Sequence, residues 1–425
     1  MRPDLIPSRI QGLELPPFDP LNRRAAELLA AGHHVISLGQ AVPFFPPPSS
    51  ALNAARAAVD TPEVNRYATD PGLPSLRSIL AERLSETIGA GSASASAEAT
   101  ADRSRNPAYD SKSGNPAYDS KNGNPAYTPD ELIITAGANH AFTLALTTLV
   151  DPGDEVILPA PYFTNHQMAV VALGATPVEA PIADRATFDV RWRDIEPRLT
   201  SRTKAIVLCN PSNPTGAPVG AVEGARIVRE AATRGIVVFS DETYMQFVYD
   251  DAHWSAASAP DWRDNVVVIG TFSKSFGMMG WRVGYMLADA SICEQAVKVQ
   301  DAMIICAPVI SQMAAEAAVR ECWAYPTTFH DELRQRRRLL VDGLRTIPGI
   351  EWTPTRGGMF AFARIAGCED STRLSNDLLE RAHLVTIPGA AFGHSGEGFL
   401  RLSYGYANQA DLADAVQRLR RFFGE

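Results

Sequence analysis

The sequence predicts an α/β protein: a large domain built on a mostly parallel, doubly wound sheet, followed by a smaller α+β domain. Three observations carry that expectation. Between residues 132 and 269, short runs of Val, Ile and Leu, apolar on both faces as a buried parallel sheet requires, alternate with longer helical stretches. After Pro308 the pattern changes to two long helical stretches and then to short, scattered strands. The length of 425 residues, at roughly 150 per domain, allows two or three domains, and 45% apolar residues give ample core material.

The start, MRPDLIPSRIQGLELPPFDP, contains no apolar h-region, and no stretch reaches about 18 uninterrupted apolar residues, so a cytoplasmic protein without a membrane span is expected. From about residue 89 to 128 the composition becomes Ala/Ser-rich and then repeats NPAYDSK from Asn106, Asn115 and Asn124. Large aliphatic residues are missing there, so the segment reads as a solvated loop insertion. Strands are predicted at Leu132–Thr135, Glu155–Leu158, Ala205–Cys209, Ile236–Phe239 and Val266–Ile269, with helices over Ala138–Leu149 and Gly220–Thr233. Further strands are expected at Met359–Ala363 and Leu400–Ser403. The division that follows is an N-terminal arm and part of the small domain over 1–45, a large domain over 46–310, and a small C-terminal domain over 311–425.

Charge and cysteine content narrow the function. Thirty-nine Lys and Arg against 48 Asp and Glu leave a net charge of −9, which disfavours nonspecific nucleic-acid or anionic-membrane binding. Five scattered cysteines with no C-x-x-C suggest neither a disulfide framework nor a zinc ribbon. The eight histidines have no metal-ligand spacing, so no metal is expected, and His140 is the one to watch. Arg334, Arg336, Arg337 and Arg338 read as the solvated face of a helix.

Ligands of open α/β sheets bind beyond the carboxyl ends of the strands, and each predicted strand here ends in residues able to hold one. The first runs into Ala136-Gly137-Ala138-Asn139 and a helix, a turn that can present free N–H groups to a phosphate. The second ends near Tyr162 and Phe163, either of which could stack on a flat ring. The third leads to Asn210-Pro211-Ser212-Asn213-Pro214-Thr215-Gly216 and the fourth to Ser240-Asp241-Glu242-Thr243-Tyr244. A carboxylate directly after an apolar run is partly desolvated and needs a cationic or N–H partner. The fifth gives Gly270-Thr271-Phe272-Ser273-Lys274, with Arg282 eight residues on; hydroxyls, an amine and a guanidinium suit a phosphate joined to a reactive aldehyde.

Taken together, N-P-S-N-P-T-G at 210–216, D-E-T-Y at 241–244, T-F-S-K at 271–274, G-W-R-V-G at 280–284 and R-L-S-Y at 401–404 resemble the fold-type I, class I/II aminotransferases that use pyridoxal 5′-phosphate. L-G-Q-A-V-P-F-F-P-P-P at 38–48 and the Arg66-Tyr67 segment are similar to the kynurenine/glutamine/methionine branch. The resemblance implies a fold-type I transferase with a large α/β/α domain and a small α+β domain. It implies Lys274 as the Schiff-base lysine and proton shuttle, Asp241 as the partner of the pyridine nitrogen, and Asn213 and Tyr244 beside the ring 3-oxygen. Phosphate ligands would be the backbone of Ala138 and Asn139, the hydroxyls of Thr271 and Ser273, and Arg282. Phe163, or less surely Tyr162, would stack on the ring. Arg401 would clamp the substrate α-carboxylate beside the backbone of Gly39, with Asn213 adjoining. Tyr67 would reach the phosphate of a neighbouring subunit, which implies a homodimer with shared active sites acting on amino acids and 2-oxo acids.

Asn139 stands where some aspartate-specific relatives have a lysine, and Phe44 and Phe45 imply a more apolar entrance. A neutral or aromatic donor is therefore expected. The same residue set is compatible with a carbon–sulfur β-lyase, a 1-aminocyclopropane-1-carboxylate-synthase-like enzyme or an aspartate aminotransferase. A cofactor-sensing regulator needs an N-terminal helix-turn-helix domain, for which the roughly forty proline-interrupted residues before Gly39 are too few.

Overall fold

The computed structural model describes residues 5–95, 126–250, 252–352 and 355–424. Seven strands form the central sheet: β1 (Leu132–Thr135), β2 (Glu155–Ala160), β3 (Thr176–Pro181), β4 (Thr203–Cys209), β5 (Val237–Asp241), β6 (Val266–Thr271) and β7 (Gly284–Leu287). Their order is β1-β7-β6-β5-β4-β2-β3. β7 runs antiparallel to both neighbours and every other pair is parallel. Buried residues pack against both faces of this sheet, because the strands are apolar on both sides. A second, antiparallel sheet pairs β8 (Ile350–Trp352), β9 (Phe360–Ile365), β10 (Ile387–Pro388) and β11 (Phe399–Ser403) in the order β10-β11-β9-β8. Ile36–Ser37 pairs in parallel with Leu384–Val385, which draws the N-terminal segment towards this second sheet.

Each expected strand is present, Leu132–Thr135 with the limits read and the others with limits shifted by one or two residues. Val237–Asp241 ends two residues later than read, so Asp241 is the last residue of β5 and not part of the following turn. Two strands of the central sheet escaped the sequence reading. β3 carries two prolines and is half exposed, as an edge strand permits. β7 begins at a glycine and returns against the parallel direction.

Helix α1 (Phe18–Ala30) precedes the sheet, and α2 (Pro74–Ala95) continues through residues expected to begin the loop insertion at 89. The NPAYDSK repeats lie outside the described residues. On the far side, the Tyr127 N–H donates to Ser85 Oγ at 2.9 Å and its hydroxyl to the Ala257 carbonyl at 3.0 Å, so the chain re-enters against α2.

The arginine run lies on α3 (His330–Leu344), and its reading as a solvated face is corrected. Arg336 is buried, donates to Glu332 at 2.7 Å and to the Ala407 carbonyl at 2.9 Å, and stacks on Phe44 at 3.8 Å. Arg337 donates to Asp250 and to the Thr355 carbonyl, and Arg334 to the Tyr249 carbonyl, leaving Arg338 exposed.

Candidate active site

The carboxyl ends of β4, β5 and β6 open on a cavity of about 370 Å³. Gly39, Ala138, Asn139, Phe163, Asn213, Asp241, Tyr244, Thr271, Ser273, Lys274, Arg282 and Arg401 all line it. Tyr67 does not line it and is 77% exposed. Tyr162 turns away from the cavity into a neighbouring apolar pocket, so Phe163 is the aromatic at the wall. Phe45 stacks on Phe329 with centroids 4.1 Å apart, and Phe44 carries Arg336. Neither lines the cavity, whose apolar lining on this segment is Ala41 and Val42.

Asp241 sits at the end of β5, where the sheet delivers a carboxylate into an almost sealed position. Its Oδ2 is 2.9 Å from His166 Nε2, and Oδ1 accepts the Thr243 N–H at 3.0 Å. Burial alone pushes its pKa up, but the hydrogen bond and charge of His166, with the Thr243 contacts, outweigh burial and hold the carboxyl below its ordinary value. His166, in the first turn of the helix Thr164–Leu173, is the residue that sequence reasoning missed. His140 instead caps a turn, its Nδ1 accepting the Ala136 N–H at 3.0 Å.

Lys274 follows β6 in a single helical turn, Phe272–Ser275, whose N-cap is Thr271. Thr271 Oγ1 accepts the Ser273 N–H at 3.1 Å and donates to Ser273 Oγ at 3.0 Å, which turns both hydroxyls to one side of the cavity. Burial, followed by the charges of Arg401 and Arg282, lowers the Lys274 amine to about 8, against the pull of Asp241.

Arg282 takes a left-handed backbone (φ 51°) that aims its guanidinium under the turn before Ala138. It donates to the Met279 carbonyl at 2.9 Å and to the Ala136 carbonyl at 3.4 Å. Gly137 has φ 86°, and any Cβ there would collide with the same guanidinium. The turn thereby places a cation beside the N-terminus of the helix Ala138–Leu149, a ready anion cradle.

Arg401 comes from β11 on the other sheet and is buried. It donates from Nη1 to Asn213 Oδ1 at 2.9 Å and from Nη2 to the Gly39 carbonyl. The rings of Phe18, Phe360 and Phe392 surround it at 5.6, 5.5 and 5.2 Å. Burial brings its pKa down to about 10, and its buried Nε has no partner. An orphaned guanidinium N–H in a cavity is a donor suited to an incoming carboxylate. Tyr244 lies edge-on to Phe360, and burial pushes its phenol up.

Among the described residues, no cluster of three or more His, Cys, Asp or Glu could hold a metal ion, and no helix is long and apolar enough to cross a membrane.

Residues 116–419 match the family described as aminotransferase class I and II. An aspartate aminotransferase of Pyrococcus abyssi is 30% identical over 407 residues, covering 95% of each chain. A probable aspartate/prephenate aminotransferase of Aquifex aeolicus is 30% identical over 428 residues, covering 98% of each. The solved aromatic aminotransferase from Pyrococcus horikoshii superposes with a TM-score of 0.79 at 29% identity, over 94% of this chain and 98% of that one.

Proposed function

The chain belongs to the class I and II aminotransferase family and is a transaminase, and we propose that it passes the amino group of a neutral or aromatic L-α-amino acid to a 2-oxo acid in a ping-pong scheme, with pyridoxal 5′-phosphate at Lys274. Members of this family use that cofactor. The residues fit it on three counts: an amine lowered to about 8, a buried carboxylate held ionised, and an anion cradle that closes on Arg282 because residue 137 has no Cβ.

When bound, the cofactor supplies an electron sink for the bond that breaks at the substrate Cα. Asp241 holds the proton on its pyridine nitrogen, and Phe163 covers the ring. Asn213 and Tyr244 flank the ring 3-oxygen. The N–H groups of Ala138 and Asn139, the hydroxyls of Thr271 and Ser273, and Arg282 bind the phosphate. Arg401 grips the substrate α-carboxylate next to the Gly39 backbone. Lys274, whose lowered pKa leaves a useful neutral fraction near pH 7–8, would serve as the group that takes the proton from the substrate Cα and holds it for return.

The observation that carries the substrate class is the charge of the cavity wall: its cations are Lys274, Arg282 and Arg401, all three occupied by the roles above. On this protomer's wall nothing of that sign remains for a second carboxylate. Tyr67, exposed and without a side-chain hydrogen bond among the described residues, supports a homodimer in which it reaches the partner's phosphate. Five unpaired cysteines support a cytoplasmic location.

A donor panel read by the absorbance of the bound cofactor tests this reading. Methionine, phenylalanine and glutamine are expected to convert the cofactor to its amine form without added acceptor. A far higher kcat/KM for aspartate would overturn the substrate class, and release of pyruvate or ammonia would overturn transamination.

A further inference from the structure

Four carboxamides line the cavity; that of Asn213 accepts from Arg401, and the other three have no hydrogen-bond partner among the described residues. These three belong to Asn22, Gln40 and Asn139. Their places follow from the surroundings of Arg401. Phe18 packs on the Arg401 guanidinium, and Asn22 stands one turn further along the same face of α1. The Gly39 carbonyl accepts from Arg401, and Gln40 is the next residue. Asn139 lies in the first turn of the helix Ala138–Leu149, on the side of the anion cradle. A substrate held by its carboxylate at Arg401 and by its amino group near Lys274 has one direction left for its side chain. That direction leads to these amides and to the apolar Ala41, Val42 and Met279.

The charged residues of the wall are Asp241, Lys274, Arg282 and Arg401. A carboxylate at the end of the substrate side chain would meet no free cation on this protomer's wall, and an unpaired charge withdrawn from water is costly. A carboxamide both donates and accepts, and so pairs reciprocally with another carboxamide. Gln40 and Asn139 are exposed and Asn22 half-buried, so an aliphatic side chain packed against Val42 and Met279 would displace water from these amides without replacing its hydrogen bonds.

We propose that Asn22, Gln40 and Asn139 form the side-chain subsite and select amino acids whose side chain is uncharged and ends in a hydrogen-bonding group, a carboxamide foremost. The proposal rests on Arg401 and Lys274 acting as described under the proposed function.

Two unreactive probes isolate the subsite. 4-Carbamoylbutanoate and glutarate differ only in a carboxamide against a carboxylate, and both lack an amino group. Titrated calorimetrically into the cofactor-loaded enzyme, the carbamoyl compound is expected to bind about tenfold more tightly, the scale of one charge-sensitive hydrogen-bonding contact. Asn22→Leu and, separately, Gln40→Met are near-isosteric replacements, and each is expected to cut that preference to about threefold or less. In the same variants kcat/KM for glutamine relative to methionine, which matches it in length, is expected to fall about tenfold. Glutarate binding as tightly as the carbamoyl compound, or a preference unchanged in both variants, overturns the subsite while leaving the transaminase reading intact. Failure of the unsubstituted enzyme to bind either probe or to react with any amino acid overturns the assignment of Arg401 and Lys274, and the subsite falls with it.

Discussion

Asp241 and His166 meet at 2.9 Å, Oδ2 to Nε2, with both side chains all but sealed from solvent. One comes from the end of a central strand and the other from a helix 75 residues earlier, so the contact exists only in the folded sheet. It gives the buried carboxylate a fixed partner on the side away from the cavity. A hydrogen bond to a charged group contributes about 1.5–3 kcal/mol, which corresponds to roughly 10- to 150-fold in an equilibrium constant. His166→Leu is therefore expected to weaken pyridoxal phosphate binding by about that factor, read by absorbance titration of the apo protein. A change under twofold would remove His166 from the site.

The same pair sets an acid limit. Folding depresses the Asp241 pKa below 3.8, so its contribution to stability is present above that value and is lost as pH falls through the lower, folded one. Denaturant midpoints measured between about pH 2 and 5 are expected to fall less steeply with acid in Asp241→Asn than in the parent. Parallel curves would show that the carboxylate gains nothing from its partners on folding.

At Lys274 the shift is also downward, but for an amine it favours the neutral form. Burial and two neighbouring guanidinium groups lower the amine to about 8, so the proton leaves well below the pH at which an exposed lysine loses it. Uptake of pyridoxal phosphate by the apo protein is expected to quicken with pH and to level off above about 8. Lys274→Ala is expected to abolish the absorbance of the lysine-linked cofactor and to lower turnover by about four orders of magnitude or more, because anchor and proton carrier are lost together. Near-normal turnover would exclude this lysine from the chemistry.

The sheet was legible in the sequence wherever a strand was buried on both faces, because unbroken runs such as LIIT at 132–135 and VVVI at 266–269 have few other uses. The edge strand Thr176–Pro181 was not, since one solvated face and two prolines erase the run. The site residues were legible because they cluster at strand ends. His166 was hidden, since its flanking Asn165 and Gln167 are ordinary helix-surface residues and its partner is distant in sequence. Arg336 was misread for a different reason. The charge run masked a helical period, and Leu333, Arg336, Leu340 and Leu344 share one buried stripe that the spacing alone contains.

Arg401 offers a geometric test. Its fork donates to Asn213 and Gly39 from its two Nη atoms while the Nε–H has no partner among the described residues, an arrangement that a lysine ammonium cannot reproduce. Arg401→Lys keeps the charge yet is expected to raise KM for the amino acid by about tenfold or more, while cofactor affinity changes little. If the lysine variant matched the parent, charge alone would suffice and the two-point grip would be wrong.

The clamp is itself held from a distance. Glu179, on the edge strand, accepts the Ser395 N–H at 3.0 Å, the Ser395 hydroxyl at 2.5 Å and the His394 N–H at 3.2 Å. A few residues back along that segment, the Phe392 carbonyl accepts the Tyr162 N–H at 3.0 Å, and the Phe392 ring lies 5.2 Å from the Arg401 guanidinium. One segment thus ties the turn that carries Phe163 to the face of the substrate-binding guanidinium. Glu179→Ala removes three acceptor contacts from the edge without touching the cavity, and is expected to raise KM for the amino acid about tenfold with a smaller change in kcat. Glu179→Gln keeps one acceptor oxygen for Ser395 and is expected to recover most of that loss. Cofactor affinity is expected to stay within about twofold in both, because the phosphate cradle and Asp241 are held by other elements. A loss of cofactor affinity that matched the rise in KM would instead place Glu179 in the support of the whole site.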